Sequence, residues 1–251
     1  ICACLVGSEM CIRDSYDSGD SGCSLDFTIH RGYGYMAVNW MQKDREKKTQ
    51  TLYQIPLDSS DEKKEVAKVT GYVPLINVNE TRGNHIYFTT SCYLDKDGTE
   101  EELLNYEWNI LDGSTKKLNI PKGEVLLAVR GNRYFCYQDG KGLRSYDENG
   151  KNEKKLFEWQ YEISSVCRDE KYLYFDNEPC ADSVSERRIM VVDYDGNVIC
   201  ERKNMTENSP EIIWSDSKQV LLQNIEKETY QILNVKEIST CLLYTSPSPR
   251  D

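Results

Sequence analysis

The sequence predicts an all-β protein built from about five repeats of a four-stranded antiparallel unit. Val, Ile, Tyr and Phe cluster in short runs bounded by Gly, Asp and Asn, which is the composition of strands and tight turns. No window of about a dozen residues keeps the i, i+3, i+4, i+7 spacing of a buried helical face. A turn that recurs along the chain divides it into units, and the runs follow one another in a similar order within each unit.

The recurring turn separates an apolar run from an aromatic-rich run. It is led by arginine in "HRGYGYM", "TRGNHIYF", "VRGNRYFCY" and "CRDEKYLYF", and a fifth copy, "SDSKQVLL", begins at Asp216 without the arginine. Gly32, Gly83 and Gly131 permit the positive φ of a tight reversal between two strands. The four leading arginines are Arg31, Arg82, Arg130 and Arg168, at separations of 51, 48 and 38 residues.

The second half of each unit contains another β-rich run, an acidic turn and a short polar run. The acidic turns, including "DENG" and "DYDGN", are typical of hairpins, because Asp bonds its own backbone and Gly accepts positive φ. This order predicts four strands per unit, in units of approximately 24–70, 71–122, 123–160, 161–208 and 209–240. The acidic turns fall at Asp58, Asp112, Asp147 and Asp195.

Repeated four-stranded units of this length resemble the blades of a β-propeller, here an incomplete one of about five blades. A single twisted sheet cannot bury both faces, whereas stacked sheets can. The "YGYM" and "YLYF" strands, followed by "LYQIPLD" and "MVVDYDG", resemble the TolB-like and YWTD-like six-bladed propellers of bacterial surface and periplasmic proteins. This resemblance covers about Leu25 to Thr240 and implies an extracytoplasmic location. The acidic turn at Asp58 has no Gly, and the turn of the last unit has no leading Arg. These two departures leave the subfamily open.

The two ends of the chain encode each other's complement. When "LLYTSPSPRD" is back-translated as CTC TTA TAC ACA TCT CCG AGC CCA CGA GAC, the opposite strand in a shifted frame reads "LVGSEMCIR", the sequence of Leu5–Arg13. Folding does not select for such a relationship, and both ends resemble a translated transposase adapter from a sequencing library. We therefore expect residues 1–15 and 241–251 to be non-native and 16–240 to be a fragment of a longer protein.

Net charge and hydropathy restrict the partners. The chain carries a formal charge of −11, whereas nucleic acid and anionic membrane surfaces require a basic patch. No stretch approaches the ~18 apolar residues of a membrane span. We expect a protein or glycan ligand, no nucleic acid and no membrane insertion in this fragment.

Cysteine and histidine patterns predict no metal site, and we expect no cofactor. Ten cysteines occur, no two interior ones form a C-x-x-C pair, and His30 and His85 are the only histidines. Cys136, Cys167 and Cys200 fall in apolar strand-like runs, where a free cysteine behaves as a small core residue.

Two motifs suggest chemistry that the rest of the chain does not support. "SGDSGC" matches the surroundings of the nucleophile in trypsin-like proteases, but no histidine precedes Ser21, so we predict a polar linker. "DKDGTEEE", Asp95 to Glu102, suggests calcium, but Gly98 comes two residues too early for an EF-hand loop. We predict a solvated loop between the second and third strands of a unit.

"SYDENGK" departs from a sialidase-type Asp box, and no carboxylate pair for glycoside hydrolysis can be singled out among 42 acidic residues.

Tryptophans are the remaining candidates for ligand contact. Trp108, Trp159 and Trp214 fall within or beside predicted strands, which predicts burial between sheets. Trp40, in "VNWMQKDREKK", is the residue we expect to reach a loop and face a ligand.

These observations favour a non-enzymatic binding or scaffolding propeller of a bacterial cell-envelope or secreted protein. Fold alone does not grant function. The alternative is the propeller portion of a truncated enzyme, either a glycan-active hydrolase or the gating domain of a peptidase. A full-length gene with a downstream hydrolase domain would favour the enzyme.

Overall fold

The computed structural model describes residues 23–40, 46–58, 63–158, 163–177, 187–205, 211–216, 218–224 and 229–235. These residues form an all-β structure, as the sequence predicts. Both terminal segments expected to be non-native, and the "SGDSG" stretch, lie outside the described residues. The chain divides into two compact units, Ile1–Lys117 and Leu118–Asp251.

The first unit contains one seven-stranded antiparallel sheet whose strands follow chain order. Its strands are β1 (Cys23–His30), β2 (Tyr33–Trp40), β3 (Lys47–Pro56), β4 (Lys64–Arg82), β5 (His85–Tyr93), β6 (Glu101–Asn109) and β7 (Thr115–Lys117).

Strand β4 is 19 residues long and belongs to two four-stranded layers. Its first half pairs with β3 as far as Tyr72, and its second half pairs with β5. The halves meet at Val73, whose φ is +48°, and at the following Pro74. The sequence predicts two separate runs here, "KKEVAKV" and "VPLINV", and the structure corrects this: they are one bent strand. A single core joins the two layers: Tyr35, Ala37, Leu52, Ile76, Ile86, Phe88 and Trp108.

The second unit contains two four-stranded antiparallel sheets and one of three strands. The predicted four-stranded antiparallel units are therefore confirmed for the first two. The first sheet contains β8 (Val125–Arg130), β9 (Arg133–Gln138), β10 (Gly142–Asp147) and β11 (Lys154–Phe157). The second contains β12 (Ile163–Arg168), β13 (Tyr172–Asn177), β14 (Arg187–Asp193) and β15 (Val198–Met205). The last contains β16 (Glu211–Ser215), β17 (Gln219–Asn224) and β18 (Thr229–Asn234).

Alternate residues of the middle sheet, β12–β15, pack in opposite directions. Leu173 and Phe175 of β13 pack against β9 of the preceding sheet. Tyr174, between them, packs with Val220 and Leu222 of the following sheet. Each sheet of this unit therefore covers one face of the next, because successive strand residues point to opposite faces.

The turns between first and second strands are of two kinds. Gly32, Gly83 and Gly131 have φ values of +78°, +57° and +56°, which confirms the predicted tight reversals. In the later repeats an aspartate carboxylate bonds the backbone of the turn. The Asp169 carboxylate accepts the amides of Lys171 and Tyr172 at 2.7 and 3.0 Å. Asp216 accepts the amides of Lys218 and Gln219, both at 2.7 Å.

The hairpin between β14 and β15 is held by Asp193, whereas the sequence pointed to Asp195. The Asp193 carboxylate accepts the amide of Asp195 at 3.0 Å and that of Asn197 at 2.8 Å. Gly196 has a φ of +94°, and a Cβ there would lie 2.5 Å from the carbonyl oxygen of Leu156 in β11. The hairpin therefore lies directly against the preceding sheet.

The core confirms part of the predicted burial. Trp108 is 1% exposed, as predicted, whereas the prediction for Trp214 is wrong because its side chain is 49% exposed. Cys136 and Cys200 are buried free thiols, and Cys167 is half-buried. Trp159 lies outside the described residues. Among the residues that the structure describes, no helix is long and apolar enough to cross a membrane.

Candidate functional site

The ends of the strands form two opposite rims of each sheet, called edges here. The two edges differ in the strand connections that they carry. Antiparallel hairpins place successive connections at opposite ends of a sheet. The turn edge carries the links from first to second and from third to fourth strand, such as Arg31–Gly32. The loop edge carries the links from second to third strand, such as residues 94–100. Because binding residues concentrate on loops that a rigid scaffold positions, a ligand site is expected at the loop edge.

Carboxylates at the turn edge are occupied by their own backbone. Asp147 accepts the amides of Asn149 and Lys151, each at 2.9 Å. The Lys151 amide is the main cause that lowers the pKa of Asp147 below its ordinary value. Asp112 likewise has a lowered pKa because Ser114 donates to it, with an amide-to-carboxylate distance of 2.8 Å. These aspartates hold hairpins, as predicted for acidic turns.

The loop edge of the first unit carries four residues at one level of the sheet. Lys47 of β3 pairs with Tyr72 of β4, Tyr72 pairs with Tyr93 of β5, and Tyr93 pairs with Glu101 of β6. Directly paired residues share a face, with Cβ atoms about 5 Å apart. Lys47, Tyr72, Tyr93 and Glu101 are named the tyrosine row below.

The tyrosine row combines aromatic surface with a cation and an anion. Tyr72 and Tyr93 are half-buried, whereas Lys47 and Glu101 are exposed. Leu94, which follows Tyr93, is also exposed. Tyrosine offers a rigid apolar ring and a hydroxyl that donates or accepts, which is why it is enriched at interfaces. The row can contact a ligand through stacking, hydrogen bonds and charge.

Backbone strain occurs beside the row. Val73 has a φ of +48°, a region that a β-branched residue rarely adopts. It also precedes proline, which favours extended backbone at the residue before it. Strained residues of this kind persist where the surrounding structure holds them and cluster at functional sites. The strained backbone at Val73 lies where β4 bends, next to Tyr72 in the middle of the row.

The acidic segment after Tyr93 forms a loop between the second and third strands, as predicted, but Glu101 and Glu102 belong to β6. The Asp95 carboxylate accepts the amides of Thr99 and Glu100 at 2.8 and 3.3 Å, and it also bonds the Thr99 hydroxyl. The Thr99 hydroxyl bond is the main cause of the lowered pKa of Asp95. Within the described part of the chain, no group of three or more His, Cys, Asp or Glu side chains is placed to hold a metal ion.

Trp40, the predicted ligand-facing residue, is the last residue of β2 and pairs with Cys23. The structure therefore places its backbone at the loop edge of the first unit. Its side chain lies outside the described part of the structure, so ligand contact stays a prediction. Sequence reasoning missed Tyr72 and Tyr93, because abundant tyrosine predicts strands without indicating which rings share a level.

One histidine lies in an arrangement capable of acid–base chemistry. Nδ1 of His85 lies 2.7 Å from Oε1 of Glu107. The Tyr87 hydroxyl donates to the same carboxylate oxygen at 3.4 Å, and its ring stacks on the imidazole. The contact with Glu107 is a close approach without hydrogen-bond geometry at Nδ1, and hydrolysis also requires a nucleophile within hydrogen-bond reach. The other histidine, His30, contacts the carbonyl of Gly83 through Nε2 at 2.8 Å.

A buried carboxylate lies in the second unit. Glu124 is 2% exposed, and the Tyr146 hydroxyl donates to its Oε1 at 2.6 Å. Burial is the main cause that raises the pKa of Glu124, and it also raises the pKa of Tyr146. The pair has no sequence signature, because the two residues are 22 positions apart.

Comparisons with known proteins give similarity to solved structures only. No protein-family model matches the chain, and no curated protein matches it significantly. The computationally designed Ika8 protein is 13% identical with a TM-score of 0.48, over 87% of this chain. The N-terminal domain of Nup159 is 12% identical with a TM-score of 0.46, over 83%. YCF48 bound to D1 peptide is 9% identical with a TM-score of 0.39, over 88% of this chain and 84% of that one. The chain spans 60% of the Ika8 chain and 59% of the Nup159 domain.

Proposed function

We propose that the chain is a segment of a β-propeller, similar to the TolB-like and YWTD-like class, that binds a protein or glycan and has no catalytic role. The observation that carries the binding role is the tyrosine row at the loop edge of the first unit. The stacked four-stranded layers within each unit support the blade interpretation. A location in the bacterial cell envelope or outside the cell is part of the same proposal.

The division of polar groups between the two edges supports binding over catalysis. At the turn edge, Asp112, Asp147 and Asp193 bond their own hairpins, so their oxygens serve the fold. At the loop edge, the tyrosine row presents two aromatic rings between Lys47 and Glu101. A row of this kind offers contact area and hydrogen bonds to a ligand without a nucleophile or a metal.

The test uses the full chain and two probe collections, a glycan array and a library of displayed peptides. We expect the wild-type chain to bind members of one collection, and Tyr72→Ala and Tyr93→Ala to weaken that binding at least tenfold. A loss of this size corresponds to about 1.4 kcal/mol. The matched control is Tyr230→Ala, which removes an exposed tyrosine from β18.

Binding that Tyr230→Ala weakens as much as Tyr72→Ala does would contradict the assignment to the tyrosine row. Failure of the wild-type chain to bind either collection would contradict the binding role itself. Turnover of a glycosidase or peptidase substrate that is lost in His85→Ala would instead favour the enzyme alternative.

A further inference from the structure

The last sheet exposes an apolar face on the side opposite to its core. Val220 and Leu222 of β17 point into the core shared with the middle sheet. Leu221, between them, pairs with Trp214 on one side and with Ile232 on the other. Trp214 is 49% exposed, Ile232 62% and Tyr230 64%. Trp214, Leu221, Tyr230 and Ile232 are named the last face below.

Equivalent positions on the two central strands of the middle sheet, β13 and β14, are buried. The two sheets align through their shared Asp-x-Lys turns at Asp169 and Asp216, which places Tyr174 at the position of Leu221. Tyr174 pairs with Val191, and Leu221 pairs with Ile232, so Ile232 corresponds to Val191. Val191 is 0% exposed because the last sheet packs on it.

The position next along the strand gives the same result. Asp176 of β13 pairs with Ile189, and Gln223 of β17 pairs with Tyr230. Ile189 is 2% exposed beneath the last sheet, whereas Tyr230 is the most exposed residue of the last face. The last face therefore repeats a surface that, one sheet earlier, receives another sheet.

The surface that fits such a face is present on the first sheet. In β2, Tyr35 and Ala37 point into the core shared with the second layer. The opposite face carries Met36, which is 3% exposed, and its partner Phe27, which is half-buried, so the exposed apolar part of this face lies at the turn edge. Ile29 on that face and Leu57 at the end of β3 are 43% and 48% exposed. Phe27, Ile29, Met36 and Leu57 are named the first face below.

The polarity of stacking is the same in both units. In the first unit, Tyr35 of the earlier layer packs with Ile86 and Phe88 of the later layer. In the second unit, Tyr174 of the earlier sheet packs with Val220 and Leu222 of the later one. Within each unit, the later sheet packs on the earlier one with the side that corresponds to the first face. The earlier sheet receives it on the side that corresponds to the last face.

We propose that the last face of one copy of this chain binds the first face of a second copy, head to tail. The contact continues the sheet stacking seen within each unit, and it joins two different apolar surfaces. In a head-to-tail dimer, one first face and one last face stay free. Further copies therefore add to the ends unless the assembly closes into a ring. The tyrosine row, the ligand surface of the proposed function, shares no residue with either face.

The test measures the mass of the full chain by light scattering over a dilution series. The wild-type mass should rise with concentration above the monomer value of 29.1 kDa. Ile232→Glu on the last face and Leu57→Glu on the first face should each hold the chain at the monomer mass. The control is Leu111→Glu, which charges a 74% exposed leucine in the turn between β6 and β7.

Mixing the two variants distinguishes this arrangement from a symmetric one. Each variant keeps one intact face, so an equimolar mixture of Ile232→Glu and Leu57→Glu should recover a species of twice the monomer mass and stop there. Self-association of Leu57→Glu alone, with none for Ile232→Glu, would mean that last face binds last face and would overturn the proposal. A wild-type mass that stays at the monomer value at every concentration would also overturn it.

Hydrogen exchange on the wild-type chain covers the case in which a variant fails to fold. Amides of residues 211–235 should exchange more slowly at high than at low concentration. Exchange that does not depend on concentration would count against a second copy. None of these measurements uses a ligand, so they stand or fall independently of the binding role.

Discussion

The hydroxyl of Tyr174 in β13 lies 2.8 Å from the main-chain carbonyl oxygen of Asp216, which belongs to the next sheet. The same hydroxyl lies 2.6 Å from the carboxylate of Asp169. Burial, followed by the hydrogen bond to Asp169, raises the pKa of this tyrosine. The phenol therefore keeps its proton at all ordinary pH values and bridges the two aspartate turns.

Replacing Tyr174 by phenylalanine should remove this bridge and leave the ring in place. Loss of a typical hydrogen bond costs about 0.5–1.5 kcal/mol, and both acceptors here are half-buried, so we expect the free energy of unfolding to fall by about that amount. Urea unfolding at neutral pH measures it. Tyr230→Phe, at a position that is 64% exposed in the single chain, is the control when both variants are measured at a concentration at which the chain is monomeric. It should have little effect, and equal losses in the two variants would contradict the bridge.

Alanine substitutions at three glycines should separate backbone strain from steric clash. Gly140 and Gly150 both have a φ of +71°, but a Cβ at Gly140 meets nothing within 4 Å, whereas one at Gly150 would lie 1.9 Å from the carbonyl oxygen of Asn119. Gly140→Ala should cost about 1–2 kcal/mol from left-handed backbone alone. Gly150→Ala and Gly196→Ala should cost more, because main-chain atoms must also move. Thermal unfolding that ranks Gly140→Ala as the worst would refute the close approach.

Val73→Gly should be tolerated better than glycine elsewhere in β4. Glycine within a strand normally costs about 0.5–1 kcal/mol, but at Val73 it also releases strain of about 1–3 kcal/mol. Val69→Gly, at a β4 residue paired with Gln50, provides the comparison. We expect Val73→Gly to unfold at a higher urea concentration than Val69→Gly, and the reverse order would mean that the bend is unstrained.

Glu124 should make the protein less stable as pH rises. Because its pKa is raised in the folded state, chiefly by burial, the folded protein binds the proton more tightly than the unfolded chain. Stability is then lost as pH rises from the unfolded pKa of about 4.3 through the folded pKa. Glu124→Gln keeps an acceptor for the Tyr146 hydroxyl and removes the charge.

We expect Glu124→Gln to be more stable than wild type at neutral pH, with a difference that disappears below pH of about 4. Urea unfolding at several pH values measures this. The exposed Glu148→Gln controls for the loss of one negative charge. A difference between Glu124→Gln and wild type that is constant across pH would show that titration of Glu124 is not its source.

Sequence reasoning predicted the strands and the tight turns because both depend on neighbouring residues. Gly83 and Gly131 take the positive φ that the turns require, and Asp147 and Asp112 bond amides within a few positions. Trp108 was predicted to be buried because a large apolar ring in a strand usually packs against a neighbouring layer. These features depend on local backbone geometry and hydrophobicity.

Contacts between distant residues were not predictable. The tyrosine row depends on the register of four strands, and a shift of one residue would place Tyr72 and Tyr93 on different faces. The Tyr174–Asp216 bridge joins residues 42 positions apart. Trp214 was predicted to be buried from its place in a strand, and the sequence does not reveal that, among the described residues, no sheet packs on its face. The runs "KKEVAKV" and "VPLINV" were predicted to be separate strands, whereas pairing with β3 and with β5 makes them one continuous strand.

The bent strand β4 has a consequence for how the first unit opens. Because one uninterrupted backbone segment supplies hydrogen bonds to β3 and to β5, neither layer can detach without pulling on the ladder of the other. Residues 23–117 should behave as one foldon in native-state exchange. A gene truncated between the two layers would lose both of them and would not leave a smaller stable piece.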